Sequence, residues 1–193
     1  VGPTASGKTG LAIELAKKID AEIISADSMQ IYKGLDVGTA KVTKEEAQGI
    51  PHHMIDICNP DESFSVADFK SMCYDKINEI IKRGKKVIIA GGTGLYVNSV
   101  VYDMNFEDET EDLSYRKELE DIANKKGKEY LYDMLVKVDK ESASKIHMNN
   151  VKRVIRALEI AKKTNMLKSE HMKKEKERIE KNSLKYEFIV FCI

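Results

Sequence analysis

The sequence predicts an α/β fold: a P-loop NTPase-like parallel-sheet core with an inserted helical domain. Three observations carry this. Residues 2–9, Gly2-Pro3-Thr4-Ala5-Ser6-Gly7-Lys8-Thr9, match the phosphate-binding pattern G-x-x-x-x-G-K-[ST]. Short apolar runs alternate with amphipathic helical stretches as far as Tyr102, the alternation of a parallel sheet. From Ser114 to about Lys181 the pattern is helical with few breaks.

The elements follow in order. Gly2 and Gly7 let the loop backbone wrap so that its N–H groups face phosphate oxygens. Lys8 adds a positive charge, and the Thr9 hydroxyl can ligate Mg²⁺. Residues 11–19 read as a helix whose positive N-terminal end faces the anion. Residues 21–26 (AEIISA) read as a buried strand ending at Asp27. Thr43 and Glu46 form a capping-box helix start, closed by Gly49. Residues 54–57 are expected to be a strand, bounded by Asn59-Pro60. Ser65 and Asp68 open a long helix with apolar positions at Phe69, Met72, Cys73, Ile77, Ile80 and Ile81, ended by Gly84. Residues 86–90 (KVIIA) are a further strand, followed at once by Gly91-Gly92-Thr93-Gly94 and a short helix. In such sheets ligands bind at the carboxyl ends of the strands.

Beyond Tyr102 the character changes. Residues 103–112 form an acidic linker, and helices are expected at 115–126, 128–137, 150–164 and about 167–181. Residues 186–193 (YEFIVFCI) return to a strand pattern. The expected organisation is a core over 1–112, a helical insertion over 113–185 and a returning core strand over 186–193.

The 193 residues are 42% hydrophobic and 33% charged, a globular balance. No stretch reads as a signal peptide or membrane span, and Cys58, Cys73 and Cys192 lack C-x-x-C spacing, so a reducing cytoplasm is expected. A monomer is expected, with no single motif behind it. His52 and His53 are adjacent, point to opposite faces of a strand and cannot chelate as a pair. The zero net charge hides an asymmetry: residues 1–112 carry 12 Lys and Arg against 19 Asp and Glu, whereas 113–185 carry 20 against 12. A polyanion partner for the basic part and a solvated helical face both fit that charge. Val1 leaves almost no room for the strand that normally precedes such a loop, and Ile193 stops inside an apolar run, so a longer protein is expected.

Three phosphate chemistries compete. A switch GTPase needs N-K-x-D and a strand ending in a Mg²⁺-holding Asp; N-K-x-D is absent and the strand 86–90 ends in Gly91-Gly92. A small-molecule kinase could use Asp27 as base, but Arg83 is the only arginine before Arg116, and phosphoryl transfer favours guanidinium groups on the moving charge. The third chemistry is transfer from a diphosphate ester, with the loop holding the leaving group. Asp27-Ser28-Met29-Gln30 then supplies a carboxylate, a hydroxyl and an amide that can read a base and deprotonate its amine.

GPTASGKT, SADSMQIYKGLDVGTAK, PHHMIDI, SVADF, GGTGLY and RVIRALEI together resemble the tRNA dimethylallyltransferases (tRNA isopentenylpyrophosphate transferases), in order and spacing and over essentially the whole chain. The resemblance implies transfer of a dimethylallyl group from dimethylallyl diphosphate, with Mg²⁺, to N6 of the adenosine 3′ of the anticodon in tRNAs reading codons that start with U. It implies Asp27 as general base, Thr93 at the reaction centre, and residues 2–9 with Lys8 around the diphosphate. It also implies Asp27, Ser28, Met29, Gln30 and Thr93 against the tRNA. In the insertion it implies tRNA contacts at Arg116 and along Lys152, Arg153, Val154, Ile155 and Arg156, gripping the anticodon stem-loop. The family pattern continues past Ile193 and includes an arginine that clamps the diphosphate, which no residue here matches. Adenylate isopentenyltransferase, acting on a free nucleotide, shares the loop but has no need of a basic helical insertion.

Overall fold

The computed structural model describes residues 1–3, 6–106, 113–164, 167–181 and 185–193. It divides into two compact units, Val1–Met104 with Leu184–Ile193, and Asn105–Ser183.

The first unit is built on a three-stranded parallel sheet of order β2-β1-β3, with β1 Ala21–Ser25, β2 His52–His53 and β3 Lys86–Ala90. Central β1 is buried along its whole length, which is why its sequence reads as a continuous apolar run rather than an alternating one. Its side chains still alternate between faces. Ala21 and Ile23 pack with Ala12, Ile13 and Ala16 of helix α1 (Lys8–Ile19). Ile24 and Ala26 face Phe69, Cys73, Ile77 and Ile80 of α3 (Val66–Lys82) and Tyr96, Val97 and Val100 of α4 (Gly94–Val101). Glu22, the charged residue of β1, is 4% exposed and held by His53 Nε2 at 2.6 Å and Arg83 Nη2 at 2.7 Å. Both capping boxes form, Thr43 with Glu46 at α2 (Lys44–Ala47) and Ser65 with Asp68 at α3.

Two strand expectations are corrected. The strand expected at 54–57 lies upstream, at His52–His53, paired with Ile23 and Ile24. Met54 and Asp56 take left-handed backbone (φ 63° and 56°), which ends the extended run. The segment 186–193 forms no strand among the described residues. It meets Val1, whose carbonyl accepts from the Ile193 N–H at 3.0 Å.

The second unit comprises α5 (Leu113–Lys126), α6 (Lys128–Val138), α7 (Lys140–Lys145), α8 (Val151–Thr164) and α9 (Lys168–Lys181). Leu119, Leu131, Leu135, Val154, Ile155 and Leu158 form its core. Buried Asp139 caps α7 by accepting the Ser142 N–H at 2.9 Å, and also accepts the Ser169 N–H at 2.9 Å, tying in the first turn of α9. The six-residue α7 is an element that sequence periodicity did not reveal. Among the described residues no helix is long and apolar enough to cross a membrane.

Candidate active site

Three segments meet at the carboxyl ends of β1 and β3. The first is the phosphate loop. Gly7, the N-cap of α1, has φ 81°, a left-handed conformation that glycine adopts without steric cost. It brings no capping side chain, and the first turn of α1 carries no acid. Among the described residues nothing therefore caps the first N–H groups of the helix, which can face an anion. Lys8 Nζ bends back to the Pro3 carbonyl and lies 3.4 Å from Ser6 Oγ, so the ammonium sits over its own loop. Thr9 is exposed in the first turn. Thr4 and Ala5 lie outside the described residues.

The second segment follows β1. Asp27 Oδ1 accepts the Met29 N–H at 2.9 Å, an Asx turn that fixes the carboxylate at the strand end. Its other oxygen makes no hydrogen bond among the described residues. Gln30 does not offer a free amide edge. Its Oε1 accepts from buried Ser25 Oγ at 2.8 Å and its Nε2 donates to Thr39 O at 3.0 Å. Gln30 thus braces the turn from below. Met29 is half exposed.

The third segment follows β3. A β-carbon on Gly91 would fall 2.2 Å from Ala26 O, so no side chain can stand there. The Thr93 N–H donates to Ala26 O at 3.1 Å. Thr93 Oγ1 accepts the Ser28 N–H at 2.9 Å and reaches Ser28 Oγ at 3.3 Å. A β-carbon on Gly92 would lie 3.2 Å from Gly2 O, which puts this segment against the start of the phosphate loop. Gly2, Asp27–Gln30 and Thr93 are therefore one connected constellation of anion cradle, carboxylate and hydroxyls.

The basic residues expected to contact RNA belong to the helical unit and divide into two kinds. Lys152 and Arg153 are exposed. Arg116 forms a bidentate pair with buried Glu159, Nε to Oε1 at 2.8 Å and Nη2 to Oε2 at 2.9 Å, and Arg156 Nη1 adds a contact at 3.4 Å. Val154 and Ile155 point inward, 1% and 4% exposed, so as side chains they are core residues rather than RNA contacts. Sequence reasoning assigned no role to Ser25, Lys41 or Asp56; Ser25 Oγ and the Asp56 N–H bond Gln30, and Lys41 Nζ bonds the Tyr32 carbonyl. Their partners come from three separate segments, so no local spacing signals them.

The family model described as IPP transferase matches residues 30–193. A tRNA dimethylallyltransferase of Bacillus cytotoxicus is 53% identical over 190 residues, 98% of this chain and 58% of that protein. The crystal structure of a full-length tRNA isopentenylpyrophosphate transferase from Bacillus halodurans superposes with TM-score 0.56 at 53% identity, covering 84% of this chain and 54% of the other. A eukaryotic dimethylallyltransferase acting on tRNA superposes with TM-score 0.72 at 34% identity, covering 89% and 42%. The chain spans somewhat over half the length of the curated relatives it matches, 58% in the B. cytotoxicus protein.

Proposed function

The chain belongs to the IPP transferase family, and from that premise we propose that the protein moves a dimethylallyl group from dimethylallyl diphosphate to N6 of the adenosine 3′ of the anticodon in tRNA. The observation that carries this reading is the connection of Gly2, Asp27 and Thr93 into one site through Gly91 and Gly92. An anion cradle beside a carboxylate suits a reaction that releases diphosphate and removes an amine proton.

In the proposed step the N6 lone pair forms a bond to C1 of the dimethylallyl group. The C1–O bond breaks with its electron pair going to the diphosphate. The N6 proton passes to the oxygen of Asp27 that the Met29 N–H does not hold. The α1 N-terminus and Lys8 stabilise the departing charge. Thr93, whose hydroxyl is turned away from its own helix, stands over the reaction centre with Ser28. Residues 2–9 surround the diphosphate, and Asp27–Gln30 with Thr93 border the adenine, Gln30 as a brace.

Thr9 presents a single exposed hydroxyl, and among the described residues no group of three His, Cys, Asp or Glu could hold a metal. With so few protein donors, Thr9 would be the residue here that helps hold a Mg²⁺ ion. A cation held there would supply positive charge against the leaving group.

In the helical unit, exposed Lys152 and Arg153 bind tRNA phosphates, which positions the RNA without reading its bases. Arg116 and Arg156 hold that surface together through Glu159. The protein works as a cytoplasmic monomer.

The test offers labelled dimethylallyl diphosphate and Mg²⁺ with either an unmodified anticodon stem-loop or AMP. Label in the stem-loop, with RNA binding that weakens steeply in salt, is the expected result. Label in AMP alone would replace the tRNA reading with that of an adenylate isopentenyltransferase.

A further inference from the structure

Lys41 is the most deeply enclosed ammonium near the site, with its side chain 6% exposed. Nζ donates to Tyr32 O at 2.6 Å, Asp36 Oδ1 at 2.8 Å and Asp56 Oδ1 at 2.5 Å. Three acceptors use all three of its donors. Burial alone would lower its pKa, but the two carboxylates outweigh burial and raise it, so the group is charged.

From this ammonium a hydrogen-bonded chain leads to the Asp27 carboxylate. Lys41 holds the Tyr32 carbonyl. The Tyr32 N–H closes a turn on Met29 O at 3.4 Å. The Met29 N–H holds Asp27 Oδ1 at 2.9 Å. A second arm runs through Asp56, whose backbone N–H donates to Gln30 O at 3.1 Å. Ala40, directly before Lys41, and Asp56 both take left-handed backbone at φ 47° and 56°. Non-glycine residues persist there where surrounding contacts over-determine them, and such strain gathers at functional sites.

We propose that Lys41 is a positioning residue for the Asp27 carboxylate, a latch that joins the segments around Tyr32, Asp36 and Asp56 and so fixes the turn from which Asp27 projects. This rests on the proposed reaction, in which Asp27 takes the N6 proton. Lys41 itself touches neither substrate. Its removal leaves the phosphate loop and the exposed helical surface intact, so binding of both substrates stays while alignment of the base is lost. Misplacement of a reacting group by about 1 Å costs on the order of 100-fold in rate.

The test is Lys41→Met, assayed beside the wild type at a temperature where both are folded by circular dichroism. Expected is a fall in kcat of about 10- to 100-fold with KM for dimethylallyl diphosphate and Kd for tRNA held within about twofold. Amide exchange gives a second readout: Met29 and Tyr32 should exchange about tenfold faster while β1 amides do not change. A folded Lys41→Met with unchanged kcat, or with unchanged Met29 exchange, overturns the latch and leaves Lys41 a structural ion pair. Where Lys41→Met does not fold, Asp56→Asn removes a half-exposed carboxylate and should show the same split in smaller measure, and unchanged kcat and exchange there overturn the latch equally. A wild type without transferase activity counts against the proposed reaction instead, and Met29 exchange still decides the latch.

Discussion

Thr93 stands at the N-cap of α4 and gives its hydroxyl to Ser28. Oγ1 accepts the Ser28 backbone N–H at 2.9 Å, and no side-chain bond is made to the first turn of α4. Threonine at an N-cap ordinarily satisfies its own helix. Here it instead ties the turn after β3 to the turn after β1. The hydroxyl thereby stays on the carboxyl edge of the sheet, in the constellation that holds Asp27.

Thr93→Ala should lower turnover about 100- to 1,000-fold, the size of losing one donor at a developing charge. Its cost in stability should stay below about 1.5 kcal/mol, since one hydrogen bond is lost. Thr93→Ser keeps the hydroxyl and should retain most activity. Single-turnover rates and urea melts on both variants check this, and an equally inactive Thr93→Ser would show that the hydroxyl is not the reason.

Gly91→Ala places a β-carbon 2.2 Å from Ala26 O, and the strand end must shift. A cost of about 1–3 kcal/mol is expected, with activity lost even in folded protein. Gly94→Ala is the control. Nothing lies within 4 Å of its β-carbon position, and a helical alanine there should stabilise by up to about 1 kcal/mol. Thermal melts that ranked the two variants together would contradict the close approach of Gly91 to Ala26.

Asp139 gives the helical unit an acid limb. Burial would raise its pKa, but the N–H and hydroxyl groups of Ser142 and Ser169 outweigh it and bring it to about 2 from 3.8. A lowered pKa means that the contribution is present above about pH 4 and is lost as pH falls through about 2. About 2 kcal/mol is involved. Asp139→Ala, which orphans four donors, should cost at least about 3 kcal/mol at neutral pH and remove this limb. Paired urea melts at pH 7 and pH 3 measure the difference, and equal pH dependence in wild type and variant would refute it.

The two kinds of basic residue in the helical unit should separate cleanly. Arg116→Ala leaves the Glu159 carboxylate, 3% exposed as a side chain, without its bidentate partner, and should cost about 3–5 kcal/mol of stability. Arg153→Ala removes an exposed charge, should cost under about 0.5 kcal/mol, and should reduce the salt slope of tRNA binding by about 1. Salt titrations with melts on both variants decide it. An unaltered slope for Arg153→Ala would remove it from the RNA surface.

The pattern of what could be read from sequence follows interaction range. The phosphate loop, the capping boxes at Thr43 and Ser65, and the apolar face of α3 depend on neighbours within a few residues, and each was legible. β2 was displaced to His52–His53 because its register is set by Ile23 and Ile24, about thirty residues away. Helix α7 was missed because six residues carry little periodicity and Asp139 draws on Ser169 as well as Ser142. At the site, Asp27 was singled out by its place at a strand end and Thr93 by the family resemblance. The engagement of Gln30 by Ser25 and Thr39, and the latch at Lys41, are tertiary contacts that no spacing rule encodes.

The most direct measurement is single-turnover transfer by Asp27→Ala, with labelled dimethylallyl diphosphate and unmodified tRNA. The expected rate is about 100- to 10,000-fold below wild type with tRNA and diphosphate binding preserved. A variant that transfers the dimethylallyl group at the wild-type rate would contradict it.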